Sequence, residues 1–209
     1  MAGAARSRRL SPAAADRHPN DRTGAWLMDL ERLQLETPRL LLRVPRREDF
    51  EAWAAFVADE EATRHIGGVQ PRPVAWRGLA AMLGCWHLQG HAMFSVIEKA
   101  SGQWIGRVGP WQPEGWPGPE VGWSIVRSHW GRGYAPEAAA ACMDWVFDVL
   151  GWEEVIHTIE PANERSKVVA TKLGSRYLRM GQLPPPLDAT AEIWGQTRDE
   201  WRAFRAARG

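Results

Sequence analysis

The 209-residue sequence predicts a single α/β domain, a mixed β-sheet flanked by helices, and three observations carry that expectation. The stretch EVGWSIVRSHWGRGYAPE, Glu120 to Glu137, reads as a strand, a tight turn and the start of a helix. Around it, short apolar runs alternate with segments of helical spacing, in the order β, α, α, β, β, β, α, β, α, β, β. The length suits one sizeable core and is short for two ordinary domains.

The elements follow in order. Leu40 to Val44 is the first strand, ended by Pro45. Glu48 and Asp49 open a helix whose Phe50, Trp53, Phe56 and Val57 keep helical spacing. Arg64 to Pro73 is a Gly/Pro loop and Val74 to Leu88 a second helix. His91 to Glu98 and Trp104 to Trp111 are strands joined by the turn Ala100-Ser101-Gly102. After the Gln112 to Pro119 loop come the Glu120 to Val126 strand and a helix from Pro136 to Leu150, closed by Gly151 as C-cap. Glu154 to Ile159 alternates as a strand, and Asn163 to Leu173 is helical with Gly174 at its end. Ser175 to Leu183 and Ala191 to Gln196 are the last strands, separated by Pro184 to Pro186, and Arg198 to Ala207 is a terminal helix.

Composition narrows the function classes. Apolar and charged fractions are those of a soluble globular protein, and no apolar run reaches membrane-spanning length. Cys85 and Cys142 offer neither a disulfide framework nor a metal-ligand spacing, which fits a reducing cytoplasm and leads to the expectation of no metal. The net charge of +1 argues against a dedicated nucleic-acid binder. The basic excess sits in Met1 to Leu27, where five arginines face only Asp16 and Asp21. Residues 1–34 are therefore expected to form an extension outside the 35–209 domain. It reads as a disordered segment, a targeting peptide, or a product of an upstream start with Met28 as the working one. Of the 13 tryptophans, Trp53 and Trp145 lie in helical patterns as core residues. Trp111, Trp116 and Trp130 lie in turns, where a flat side chain can line a pocket.

The Gly131-Arg132-Gly133 turn carries the chemistry. Glycines let the backbone approach a ligand closely, Pro136 suits the first turn of a helix, and Glu137 suits its positive end. A turn of this kind points amides and a helix dipole at phosphate, although the same sequence also serves as an ordinary strand-to-helix turn. It lacks the Gly-Lys-Ser/Thr of nucleotide-hydrolysing loops, and Pro136 stands where a dinucleotide fingerprint has its third glycine.

The turn G-R-G-Y-A resembles the pyrophosphate loop of the GNAT acyltransferase superfamily, Gln/Arg-x-x-Gly-x-Gly/Ala, with Gly133 and Ala135 on its last two positions and Trp130 in place of Gln or Arg. ETPRLLLR, the Glu-x-Gly strand, PANERSKVVATKLG (Pro161 to Gly174) and TRDEW (Thr197 to Trp201) resemble the RimJ/RimL-like branch. The likeness runs from about Leu35 to Trp201, and the element order is that of the GNAT fold, a central splayed mixed sheet flanked by helices.

The resemblance implies acetyl transfer from acetyl-CoA to an amine acceptor, a small molecule or a peptide, by a monomer or homodimer. It implies a cofactor-binding set of Ser124, Ile125, Val126, Trp130, Gly131, Arg132, Gly133, Tyr134, Ala135, Asn163 and Ser166. The thioester carbonyl would meet strand amides within Trp123 to Ile125. Glu120, at the open end of the splayed strand, is the candidate base, with His65, His91, His129 and His157 as other bases and a solvated edge carboxylate as the plain alternative. Many relatives carry a tyrosine acid where this chain has Ala170, so the role falls to another donor or to water; Ser166, which resembles the serine that RimL-type enzymes place near the sulfur, is the candidate acid. Asn163 and Ser166 equally suit helix capping. Ser175 replaces a large apolar residue. The loops Arg64 to Pro73 and Leu183 to Ala191 should build the acceptor site. A polycation would call for several carboxylates; Asp59, Glu60, Glu61 and Asp188 are present, but acidic surface residues are common, and the acceptor stays open. The missing tyrosine also suits a catalytically weak acyl-CoA-binding or regulatory module.

Overall fold

A computed structural model describes residues 30–208, so the expected basic extension falls largely outside the described residues. Eight strands form one sheet in the order β1-β2-β3-β4-β5-β6-β8-β7. They are β1 (Gln34–Glu36), β2 (Leu40–Arg43), β3 (Phe94–Glu98), β4 (Trp104–Trp111), β5 (Glu120–Ile125), β6 (Glu154–Ile159), β7 (Arg176–Gln182) and β8 (Thr190–Thr197). Six helices cover it: α1 (Phe50–Val57), α2 (Glu60–Thr63), α3 (Arg72–Gln89), α4 (Tyr134–Asp148), α5 (Glu164–Lys172) and α6 (Arg198–Ala206).

The core forms where alternating strand residues meet helical stripes. Leu40 and Leu42 of β2, Val96, Ile105, Val108 and Val121 are fully buried. Ala138, Ala139, Cys142, Met143 and Val146 of α4 are buried as well, the alanines and the cysteine letting this helix come close to the sheet. Each large apolar side chain so buried contributes roughly 1.5–3 kcal/mol. Trp53 and Trp145 are core residues, as expected. The C-terminus of α4 differs from expectation: the helix ends at Asp148 with Val149 as C-cap, and Gly151 takes its positive φ two residues later.

Every neighbouring pair of strands is antiparallel except β5 and β6, which run parallel. Those two are in register at one point only, Glu120 opposite Ile156, where the Ile156 amide donates to Pro119 O at 2.9 Å. Beyond it they diverge. The sheet is thus two halves, β1–β5 and β6–β8, joined at an apex with a wedge opening toward the C-terminal ends of β5 and β6. The wedge positions the site.

Candidate functional site

At the mouth of the wedge lies the glycine turn. Gly131 and Gly133 have φ of 75° and 78°, the left-handed region that a side chain resists. Gly133 is the N-cap of α4 and supplies no side chain to cap it, so the first-turn amides are left pointing outward. The turn is clamped from behind. Glu137 accepts from the Thr37 hydroxyl at 2.6 Å, the Arg39 amide at 3.1 Å and Arg39 Nε at 2.6 Å, and Arg39 Nη1 donates to Arg132 O at 2.9 Å. The Arg39 guanidinium also lies 4.4 Å from the centre of the Tyr134 ring. Tyr134 packs inward with its hydroxyl on Glu98, so only its amide can serve a ligand at the turn.

Along β5 the hydrogen-bond parity decides which groups face the wedge. Val126 donates to Ile105 O at 2.9 Å, and Ser124 stands opposite Arg107 two residues earlier, so both amides belong to the ladder with β4. Within the Trp123 to Ile125 segment expected to meet the thioester carbonyl, the Ser124 amide is thus spent inside the sheet, as is that of neighbouring Val126. The intervening residues face the other way: Val121 O is met by His157 Nδ1 at 2.7 Å and Ile125 O by the Trp130 indole at 2.7 Å. Alternation then turns the amides of Trp123 and Ile125 into the wedge. Trp130, in place of the usual Gln or Arg, uses its indole N–H to occupy a carbonyl of the wedge wall. Its ring carries the Arg165 guanidinium 4.3 Å from its centre.

Glu120 sits at the closed apex of the wedge, where the strands still pair, and not at its open end. It is 5% exposed. Its carboxylate accepts from the Trp116 indole at 2.6 Å, the Thr158 amide at 3.2 Å and the Thr158 hydroxyl at 2.9 Å. Burial pushes the carboxyl up to about 7, against the opposing pull of these donors. A Cβ at position 122 would stand 3.2 Å from Glu120 Oε1, so the carboxylate folds back over Gly122. A carboxyl poised near neutrality at the apex can accept a proton, and the two inward amides further along β5 can meet an oxygen that gains negative charge.

The profile of the acetyltransferase (GNAT) domain matches residues 39–176. The chain belongs to the GNAT acetyltransferases. It is similar to the protein YkkB of Bacillus subtilis, 37% identical over 90 residues, covering 42% of this chain and 52% of YkkB, so the match spans about half of that relative. It is also similar to the N-acetyltransferase p20 of Bacillus licheniformis, 31% identical over 135 residues, 63% of this chain and 76% of p20. The crystal structure of the acetyltransferase from Agrobacterium tumefaciens strain C58 superposes with a TM-score of 0.69 at 31% identity, over 78% of this chain and 94% of that one. The GNAT chain is accordingly an acyltransferase.

The far wall of the wedge in this GNAT domain comes from β6 and α5. Asn163 is the N-cap of α5 and its side-chain oxygen accepts from the Ser166 amide at 3.2 Å, leaving its NH2 group free of that role. The Ser166 hydroxyl accepts from the Trp123 indole at 3.3 Å, a bond that spans the wedge. Ala170 is fully buried and offers no hydroxyl. Ser175, unexpected in an apolar position, is explained by its partners. His157 Nδ1 faces Val121 O, so it carries the ring proton, and Nε2 accepts from the Ser175 hydroxyl at 2.9 Å. Gln196 donates to Ser175 Oγ at 2.8 Å. A buried histidine on β6 thus requires a polar residue at 175. Burial holds His157 down to about 4, so it stays neutral and serves as a strut between the two half-sheets, not as a base.

The α1–α3 side of the wedge gathers the remaining polar groups. Leu187 packs within 3.3 Å of where a Cβ on Gly67 would stand, so the two loops expected at the acceptor site meet. His65 Nδ1 pairs with the Glu160 carboxylate at the end of β6. His91 and His129 are engaged elsewhere, with Gln89 and with Ser128 and Glu98. Sequence reasoning missed Trp116 and Thr158 as partners of Glu120, because neither belongs to a motif and only the fold brings them to it. Among the described residues no group of three or more His, Cys, Asp or Glu is arranged to hold a metal, and no helix is long and apolar enough to cross a membrane.

Proposed function

We propose that this GNAT domain transfers the acetyl group of acetyl-CoA to a primary amine, by direct attack while both substrates are bound. The observation that carries the reading is the path from the uncapped α4 turn, along the inward amides of Trp123 and Ile125, to the buried carboxyl of Glu120. The donor set fits coenzyme A: amides of Gly131 to Ala135 for the diphosphate with no lysine needed, and Arg132 beside them. The free NH2 of Asn163 suits the pantetheine arm. The Trp123 amide suits the carbonyl oxygen as charge builds on it, a contact typically worth about 3 kcal/mol of barrier.

Glu120 takes the proton of the amine, directly or through water, so that nitrogen presents a lone pair to the carbonyl carbon. The C–S bond breaks as the C–N bond forms, and the leaving sulfur takes a proton. Ser166 supplies that proton in this reading, supported by an oxygen that accepts from Trp123 and a hydrogen that no described partner takes. The motifs at 36–43, 161–174 and 197–201 support a RimJ/RimL-like place within the family, and a cytoplasmic setting follows for an enzyme drawing on that substrate pool.

An acceptor screen monitored by free-thiol release tests the reading, with peptides of varied N-termini, amino acids and aminoglycosides, alongside calorimetry with coenzyme A. Binding with amine-dependent thiol release supports the transferase. Binding without release from any amine supports a weak acyl-CoA-binding module, as Ala170 in place of tyrosine suggests. Absence of binding overturns both.

A further inference from the structure

Arg107 of β4 lies opposite Ser95 on one neighbouring strand and Ser124 on the other, on the sheet face that Trp53 of α1 covers. Its guanidinium rests over the Trp53 indole of α1, 4.6 Å from the ring centre. It has no hydrogen bond and no ion pair among the described residues, and its Nε is buried without an acceptor. The indole beneath is also short of an acceptor, since Trp53 Nε1 is buried and unpartnered. Asp49, which the Ser95 hydroxyl holds beside this position, is fully used. It accepts two bonds from Arg43, one from the Arg46 amide and one from the Ser95 hydroxyl. Burial pushes Arg107 down to about 10, which leaves it a cation at neutral pH.

A buried cation with no counterion is costly, and an anion arriving from outside would offset that cost. The residue as a whole retains partial exposure, and of the guanidinium nitrogens Nε is the one buried without a partner. Their forked geometry matches two oxygens of one carboxylate, and the flat indole holds the fork in one plane. The location gives the anion a meaning. Ser124, beside Arg107, is two residues along β5 from Gly122, a step of roughly 7 Å, and the Glu120 carboxylate folds over Gly122 on this same face. Arg107 and the proposed base therefore stand on one face of the sheet, with Ser124 and Gly122 between them.

We propose that Arg107, planted on Trp53, binds the carboxylate of the acceptor, so that the preferred acceptors are amino acids or close analogues with a free carboxylate near the amine. The assignment deepens the acetyl-transfer reading and rests on it for the identity of the anion as acceptor.

The test compares L-alanine, L-leucine and L-phenylalanine with their amides, which keep the amine and lose the charge, as acceptors for the full chain with acetyl-CoA. At least one free acid should exceed its amide in kcat/KM by 10- to 100-fold. Arg107→Gln should erase that preference through the KM of the acid, with coenzyme A affinity unchanged, and Arg107→Lys should restore part of it. Because the cation has no counterion, Arg107→Met should melt at or above the wild-type temperature. Amides turned over as well as acids, or a preference intact in Arg107→Gln, would overturn the proposal. Calorimetry of the same amino acids with the coenzyme A complex separates the two readings. Binding that depends on Arg107 without turnover keeps the carboxylate site and sinks the transferase, whereas turnover of amides without such binding does the reverse.

Discussion

Glu120 grips Thr158 at two points, the main-chain amide and the hydroxyl, and so one carboxylate stitches β5 to β6 where their ladder ends. The same group is the proposed base. Structure and chemistry therefore share one titration. Below about 7 the buried carboxyl holds its proton, and above it the proton is gone. Acetyl transfer, measured as kcat/KM, should rise with pH through about 7 and then level. Glu120→Gln should lower it by two to four orders of magnitude and remove that limb. Stability carries the opposite sign. The folded form binds the proton more tightly than the unfolded chain, so the group's contribution is full below the ordinary carboxylate range and is lost as pH rises through about 7. The loss is on the order of 3 kcal/mol. Melting temperatures from pH 4.5 to 8 should fall more for the wild type than for Glu120→Gln.

Gly133→Ala places a side chain at a φ of 78° and about 3.5 Å from Arg39 Nη2, at the N-cap of α4. The substitution should cost about 1 kcal/mol of stability through backbone strain. It should weaken coenzyme A binding 10-fold or more by calorimetry, since the amides lose their aim. Unchanged affinity would mean that the turn does not hold the diphosphate.

Asn163 has two separable duties. Asn163→Asp keeps the oxygen that caps α5 and removes the NH2 donor, so thermal stability should hold while coenzyme A affinity falls several-fold. Asn163→Ala removes both, and should in addition lose about 1 kcal/mol of stability. Equal affinity in the Asp variant and the wild type would confine Asn163 to capping.

Ser175→Ala leaves His157 Nε2 and one bond of Gln196 without a partner inside the core, at a cost of about 1–3 kcal/mol in chemical denaturation. The strut also sets an acid limit. His157 is held down to about 4, while an unfolded histidine takes its proton near its ordinary value, so the stability it contributes is present above about 6.5 and is lost as pH falls toward 4. His157→Gln should flatten that part of the melting profile.

The periodic parts of the chain were legible and the junctions were not. β6 and its flanking helix could be drawn from residue patterns alone, as could the turn at Gly131 to Ala135, because local spacing and glycine placement determine them. The three-residue β1 carries too little pattern to be seen. Which amides of β5 face the wedge depends on its parity with β4, a long-range property, and so Ser124 and Val126 stood beside Ile125 as equal candidates until the register separated them. Glu120 was found as a residue and misplaced within the wedge, since nothing local says where two parallel strands part. Ser175 looked like a flaw because its partners, His157 and Gln196, are 18 and 21 positions away.

The single register pair between β5 and β6 has a consequence for how this scaffold diversifies. Continuity across the seam depends on the side chains of residues 120, 157, 158 and 175 more than on a main-chain ladder. Exchanging a few of them can widen, narrow or re-tilt the cleft while both half-sheets keep their own cores, so new acceptors are within reach of point substitutions without any strand being rebuilt.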